Sequence, residues 1–206
     1  MNKAIDFYFD FSSSYSYIGQ HRLRALAEAF DIAIDWRPIA LGAIFKARGH
    51  APPKADSLKG RYVWHDVERS AAEWGLPYHW PKPFPFNSIL AARAYWYLKD
   101  VDEEDAVAWI RAVFDASYGH GRDCSDPSVV AELVADLELD GEQILQATAG
   151  DAVKQRLKEV TDEAMARGVF GAPTFFLDGE MYWGADRIDQ MWRVLERSRS
   201  GAKGQR

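Results

Sequence analysis

A single cysteine, Cys124, stands in 206 residues, so the chain can close no internal disulfide and build no zinc site from cysteines alone. Beside Gly121, Arg122 and Asp123 it reads as a bystander thiol rather than a nucleophile. The five histidines, His21, His50, His65, His79 and His120, fall at no metal-ligand spacing, and no metal site is expected. Gly119-His120-Gly121 lacks the further glycine of a dinucleotide loop, and no Gly-x-Ser-x-Gly elbow marks a serine hydrolase. Basic residues are outnumbered, 25 against 31 acidic ones for a net charge of -6, with no basic run before the last few positions. That balance excludes a nucleic-acid partner. No stretch approaches the ~18 uncharged apolar residues of a membrane span, and Asp6 and Asp10 interrupt the apolar beginning of the chain. A soluble, cytoplasmic protein without a membrane partner is expected. No repeat of fixed period points to a solenoid.

What is present is apolar and aromatic. Hydrophobic residues make up 48% of the chain and tryptophan occurs eight times, enough for a substantial core. Ile5, Phe7, Phe9 and Phe11 alternate with Asp6, Tyr8 and Asp10 as a strand does, and helical spacing takes over from Tyr15 to Phe30. Residues 32–39 alternate again, with Pro38 at the strand end, which makes a β-α-β crossover with a parallel pair. From 41 to 168 the patterns are helical, at 58–74, 87–98, 103–118, 126–136, 141–149 and 151–167. Within this block Pro77 to Phe86 interleaves four prolines with aromatics, an extended loop of restricted freedom that can line a pocket. Asp178-Gly179 between Thr174-Phe175-Phe176-Leu177 and Glu180-Met181-Tyr182-Trp183 signals a tight hairpin. A helix from Asp186 to Arg197 follows, and the polar tail from Ser198 to Arg206 is expected to be disordered.

This order is that of an α/β, thioredoxin-like fold with a large α-helical domain inserted between its β-α-β and β-β-α halves. The expected division is a discontinuous thioredoxin-like domain at 1–40 and 169–206 around a helical insertion at 41–168. In such a fold the reactive group sits at the N-terminus of the first helix, where free amides and the helix dipole favour an anion. Here that place holds Ser13-Ser14-Tyr15-Ser16. Ser13 and Ser16 keep the spacing of a Cys-x-x-Cys pair without its sulfurs, so the chain alone cannot exchange disulfides. Pro173, opening a strand after Gly171-Ala172, is a candidate for a cis peptide bond opposite that helix terminus.

The stretch Phe7-Tyr8-Phe9-Asp10-Phe11-Ser12-Ser13-Ser14-Tyr15-Ser16-Tyr17 resembles the opening of the 2-hydroxychromene-2-carboxylate isomerases, relatives of the kappa-class glutathione transferases with a DsbA-like thioredoxin fold. The resemblance continues through Leu41-Gly42-Ala43-Ile44-Phe45-Lys46-Ala47-Arg48-Gly49-His50-Ala51-Pro52-Pro53, Lys59-Gly60-Arg61-Tyr62, Phe84-Pro85-Phe86-Asn87, Val169-Phe170-Gly171-Ala172-Pro173-Thr174 and Trp183-Gly184-Ala185-Asp186-Arg187. It implies glutathione as cofactor, a small aromatic substrate and a homodimer. By position, Ser13 is the serine that holds and activates the glutathione thiol. The resemblance further implies glutathione contacts from His50, Lys59, Ala172, Pro173, Trp183, Gly184, Ala185 and Asp186, with Asp186 meeting the γ-glutamyl ammonium, and substrate contacts from Phe45 and Phe84. His50 stands where the family usually has asparagine, Ser14 where proline is common, and Phe45 where some isomerases carry a lysine.

Three functions stay open on the sequence. The first is a glutathione-dependent cis–trans isomerase that interconverts 2-hydroxychromene-2-carboxylate and trans-o-hydroxybenzylidenepyruvate in aromatic degradation. The second is a kappa-like transferase, and the third a non-enzymatic, ligand-binding thioredoxin-like domain in which Ser13 and Asp186 are helix caps only.

Overall fold

The computed structural model describes residues 4–54 and 56–203. Strand β1 (Ala4–Phe9) lies inside a four-stranded sheet of order β2-β1-β3-β4. It pairs in parallel with β2 (Ala33–Pro38), Phe9 opposite Pro38, and antiparallel with β3 (Thr174–Leu177), Phe7 opposite Phe175. β4 (Glu180–Trp183) closes a hairpin on β3. Its turn places Asp178 at φ 53° and Gly179 at φ 83°, the two positive values that this tight turn requires.

The alternation in β1 separates two buried faces. On one, Phe7 stacks on Phe9 and on Phe175, each at 4.9 Å between ring centroids. On the other, the fully buried Tyr8 lies under a polar cluster in which Arg37 pairs with Glu163 at 2.9 Å and Arg167 with Asp6 at 2.6 Å. The strand ends at Phe9, two residues earlier than its alternation suggests, because Asp10 turns inward to serve other segments.

Helix α1 (Ser14–Phe30) buries Ile18, Leu23 and Leu26 in the core and turns Tyr17 to the helical block, stacked on Tyr118 at 5.5 Å. Gly19 permits its approach: a β-carbon there would stand 3.2 Å from Pro173 Cγ. Between β2 and β3 come α2 (Leu41–Ala47), α3 (Leu58–Glu73), α4 (Ile89–Val101) and α5 (Glu103–Phe114), which continues as a wider turn at Asp115–Gly119. Next are α6 (Pro127–Asp136), α7 (Gly141–Ala149) and α8 (Asp151–Ala166). This helical block shares its core with the sheet, since Phe114 packs on Phe9 and Phe11 at 5.7 and 5.3 Å. Tyr95 and Trp96 of α4 donate to the carbonyls of Trp36 and Pro38 at 2.8 and 3.2 Å, which satisfies the outer edge of β2.

The short helix α2 has no counterpart in the sequence reading. The disorder expected from Ser198 onward is also corrected, because α9 (Ile188–Lys203) runs through it. Arg199 fastens that end, donating to the Ala29 carbonyl at 3.2 Å and lying 5.7 Å from the Phe30 ring. Residues 204–206 of the expected tail lie outside the described residues. The Ala172-Pro173 bond is cis as expected, and Lys82-Pro83 and Phe84-Pro85 are cis as well. Among the described residues no helix is long and apolar enough to cross a membrane, and no group of three or more His, Cys, Asp and Glu could hold a metal ion.

Candidate functional site

Where β1 passes into α1, Ser13 donates its N–H to the Asp10 carbonyl at 2.9 Å and takes an extended backbone, φ -98° and ψ 110°, as an N-cap does. Its Oγ accepts the Ser16 N–H at 3.2 Å and donates to the Ala172 carbonyl at 3.1 Å. The first turn of α1 carries no acidic residue. The positive end of this helix therefore has no anion of its own.

Asp10 sits beneath this turn, 4% exposed. It accepts from the Ser12 N–H at 2.8 Å and from the Leu41 N–H, the first of α2, at 2.9 Å. Burial pushes its carboxyl above the usual range, while the Ser88 hydroxyl and those two amides pull it back. One carboxyl thus joins the Ser13 turn to the helix bearing Phe45 and to the end of the proline loop bearing Phe84. Sequence reasoning missed Asp10; the available signal was an acid between two aromatic residues at a strand end.

Across from Ser13 lies the Gly171-Ala172-Pro173 segment. Trp183 covers Gly171 so closely that a β-carbon there would meet the indole nitrogen at 2.5 Å, and the indole packs edge-on against Phe170 at 4.7 Å. The Thr174 hydroxyl donates to the Gly171 carbonyl at 2.7 Å, and the Gly184 N–H to the Pro173 carbonyl at 3.0 Å. Gly184 has φ 108°, a conformation that disfavours any other residue, and a β-carbon there would stand 2.5 Å from Asp186 Oδ1. The Ala185 carbonyl accepts from buried Arg22 at 2.8 Å, which also pairs with Asp189. Asp186 presents a carboxylate 69% exposed, 3.1 Å from Arg187. Between α1, β3 and the turn after β4, Ser13, Ala172, Pro173, Trp183, Gly184, Ala185 and Asp186 form one connected group.

Lys59, His50, Phe45 and Phe84 come from the helical block. Among the described residues none of them hydrogen-bonds to Ser13 or Ala172. Lys59 is exposed in the first turn of α3, and α3 is tied to α1 by Tyr15, whose hydroxyl donates to Asp66 at 2.7 Å. Burial together with Asp66 pushes that phenol well up. Exposed His50 closes the end of α2, its N–H donating to the Phe45 carbonyl at 2.8 Å. Phe84 meets Trp80 edge-on at 4.8 Å, and Trp80 meets Trp64 of α3 at 4.7 Å and Tyr78 at 5.3 Å. The Tyr78 hydroxyl lies beside Ser14, and burial, its main influence, pushes the phenol well up, so it stays protonated. Cys124 is buried, accepts from Ser117 at 3.1 Å, and is pushed up by burial. A thiol so held is no nucleophile.

A family model described as a DSBA-like thioredoxin domain matches residues 4–196. The chain is 32% identical over 191 residues to a 2-hydroxychromene-2-carboxylate isomerase of Sphingobium xenophagum, covering 92% of this chain and 96% of the relative. It is 29% identical to glutathione S-transferase kappa 2 of Caenorhabditis elegans, covering 92% of this chain and 90% of that one. A solved structure of 2-hydroxychromene-2-carboxylate isomerase superposes with a TM-score of 0.87 at 32% identity, covering 97% of this chain and 98% of that chain.

Proposed function

The chain belongs to the DSBA-like thioredoxin family and, within it, with the 2-hydroxychromene-2-carboxylate isomerases, and from that premise we propose a glutathione-dependent cis–trans isomerase. Its substrates are 2-hydroxychromene-2-carboxylate and trans-o-hydroxybenzylidenepyruvate, or a closely analogous intermediate of aromatic degradation. The observation that carries the reading is a hydroxyl, Ser13 Oγ, capping a helix with no acid in its first turn, 3.1 Å from the carbonyl before a cis-proline.

The groups present fit a peptide thiol. An exposed carboxylate at Asp186 suits an ammonium, the Ala172 carbonyl suits an amide N–H, and Lys59 and His50 suit carboxylates. Bound glutathione supplies the sulfur nucleophile that the chain lacks, for reversible addition to a conjugated double bond. Ser13 and the amides of α1 stabilise negative charge on sulfur, as a hydroxyl donor and a helix dipole do. Phe45, Phe84, Trp80 and Trp64 offer flat apolar surface to a planar ring. Tyr78, held protonated, is a hydrogen-bond donor beside that surface. Asp10 positions all three segments.

The assay is the spectral interconversion of the two compounds by purified protein with and without glutathione. Turnover without net glutathione consumption is expected, and no spectral change in either direction would overturn the proposal. The likeness to the kappa transferase favours a second reading, conjugation of electrophiles, and lasting glutathione consumption with a chloronitrobenzene would select it. The same proposal includes a cytoplasmic homodimer and treats 41–168 as an insertion into a thioredoxin-like domain at 1–40 and 169–206. Light scattering reads the first part, and separate expression of the insertion reads the second.

A further inference from the structure

A serine hydroxyl has one hydrogen to donate and two lone pairs, and at Ser13 the hydrogen is already given away. It goes to the Ala172 carbonyl at 3.1 Å, while the same oxygen accepts the Ser16 N–H at 3.2 Å. The partner is held in place independently of Ser13. Thr174 fastens the Gly171 carbonyl at 2.7 Å, and Gly184 fastens the Pro173 carbonyl at 3.0 Å. A sulfur anion arriving alone would have to take the hydrogen from Ala172 and leave that part-buried carbonyl with water as its only donor, which offsets part of what the new bond contributes. A ligand that brings its own N–H to that carbonyl leaves nothing unpaired.

We propose that Ser13 is latched on Ala172, and that only thiols carrying an amide N–H on the carbon next to the sulfur-bearing one, as a cysteinyl residue does, unlatch it. The incoming N–H takes over the Ala172 carbonyl and the Ser13 hydroxyl turns to the sulfur, the thiol proton passing to water. The exchange needs only rotation about Cβ–Oγ. The oxygen stays where it is and keeps the Ser16 N–H, so α1 remains capped in both states. Discrimination between peptide thiols and simple mercaptans then resides in a backbone carbonyl, whereas Asp186 and Lys59 read the ligand's charged ends. The inference rests on the glutathione reading of this site and adds to it a rule for which thiols are activated.

The first test follows the carbonyl itself. The 13C resonance of the Ala172 carbonyl, identified by its loss in Ala172→Gly, is recorded in the wild type and in Ser13→Ala, each free and saturated with glutathione. The substitution should shift this resonance in the free protein and leave it unmoved in the saturated one, where the donor is the ligand. A shift of equal size in both states overturns the latch. The second test compares glutathione with its analogue N-methylated at the cysteinyl amide, by ultraviolet absorbance of bound thiolate. About tenfold more thiolate at neutral pH is expected for glutathione, one pKa unit of difference. Equal thiolate in both overturns the latch and leaves thiol activation standing. If glutathione itself gains no thiolate character on binding, the glutathione reading fails, and the latch with it.

Discussion

The N-terminal ends of α1 and α5 expose the same kind of unpaired amides and are closed in opposite ways. At α5 the cap is Asp102, accepting from the amides of Glu104 and Asp105 at 2.7 and 3.2 Å, and Glu103, Glu104 and Asp105 fill the first turn. That helix brings its own anions to its positive end. At α1 the cap is a neutral serine and the first turn has no acid. The helix itself brings no anion to that end, the carboxyl of Asp10 being buried beneath the turn on the Ser12 and Leu41 amides, and the end points at the segment before a cis-proline. Ser57 caps α3 in the same neutral way with no acid in the first turn, so what sets α1 apart is an acid-free end that also faces the cis-proline segment.

Exchanging the two solutions is the most severe way to break the comparison. Ser13→Asp keeps an acceptor for the Ser16 N–H but sets a carboxylate where the sulfur anion is to lie. Turnover should fall by more than the ~100- to 1,000-fold expected when a single stabilising donor is removed, while the Ser16 amide stays capped. Near-normal turnover would show that an acid-free helix end is not what the reaction uses. Ser13→Ala removes the donor without adding charge and should give the ~100- to 1,000-fold loss itself. Its cost in stability should be about 1 kcal/mol, as for other lost caps. The matched change at the closed end, Asp102→Ala, should cost about as much stability while leaving turnover untouched, so the pair separates capping from chemistry in denaturant melts and one assay.

A smaller effect is expected one turn beyond the sheet. Gly184→Ala forces a β-carbon into a backbone at φ 108° and toward Asp186 Oδ1. Strain of this kind costs roughly 1–3 kcal/mol, and the displaced carboxylate should weaken glutathione binding about tenfold. Calorimetry reads the affinity, and unchanged binding would remove Asp186 from the ligand's ammonium.

How far this contrast could be read in advance differs from element to element. The β-α-β opening, the Asp178-Gly179 hairpin and the cis bond at Pro173 follow from local pattern, and Ser13 stood out because a serine replaced a thiol at a recognisable place. Helix α2 escaped because its start has no local signal: Ala40 offers no side-chain cap, and the Leu41 N–H is met by Asp10 from 31 residues away. Asp10 itself looked like one polar member of an alternating strand. The end of α9 looked like a polar tail, yet Arg199 returns to Ala29 and Phe30 at the far end of α1. Each miss is a contact between segments distant in sequence, which periodicity cannot report.

The smallest effect sharpens the comparison by making a closed end resemble the open one reversibly. α6 is capped by Asp126, which accepts both the N–H and the hydroxyl of Ser128 at 2.8 Å. The backbone bond, with the hydroxyl second, holds its carboxyl below the usual range. The folded state therefore binds this proton more weakly than the unfolded chain, so the cap's contribution is present above the ordinary carboxylate value of about 3.9 and is lost as pH falls through the lower folded value. Asp126→Asn keeps an acceptor oxygen and removes only the charge. The stability difference between the two proteins should hold steady from neutral pH to about pH 5, shrink below about pH 4, and weaken with added salt because the group is exposed. A difference that persists unchanged into acid would mean that geometry, not charge, closes α6. Ser13 has no such titration. An ionisation seen near neutral pH with glutathione bound at α1, and absent with S-methylglutathione, would then be assigned to the sulfur and not to its cap.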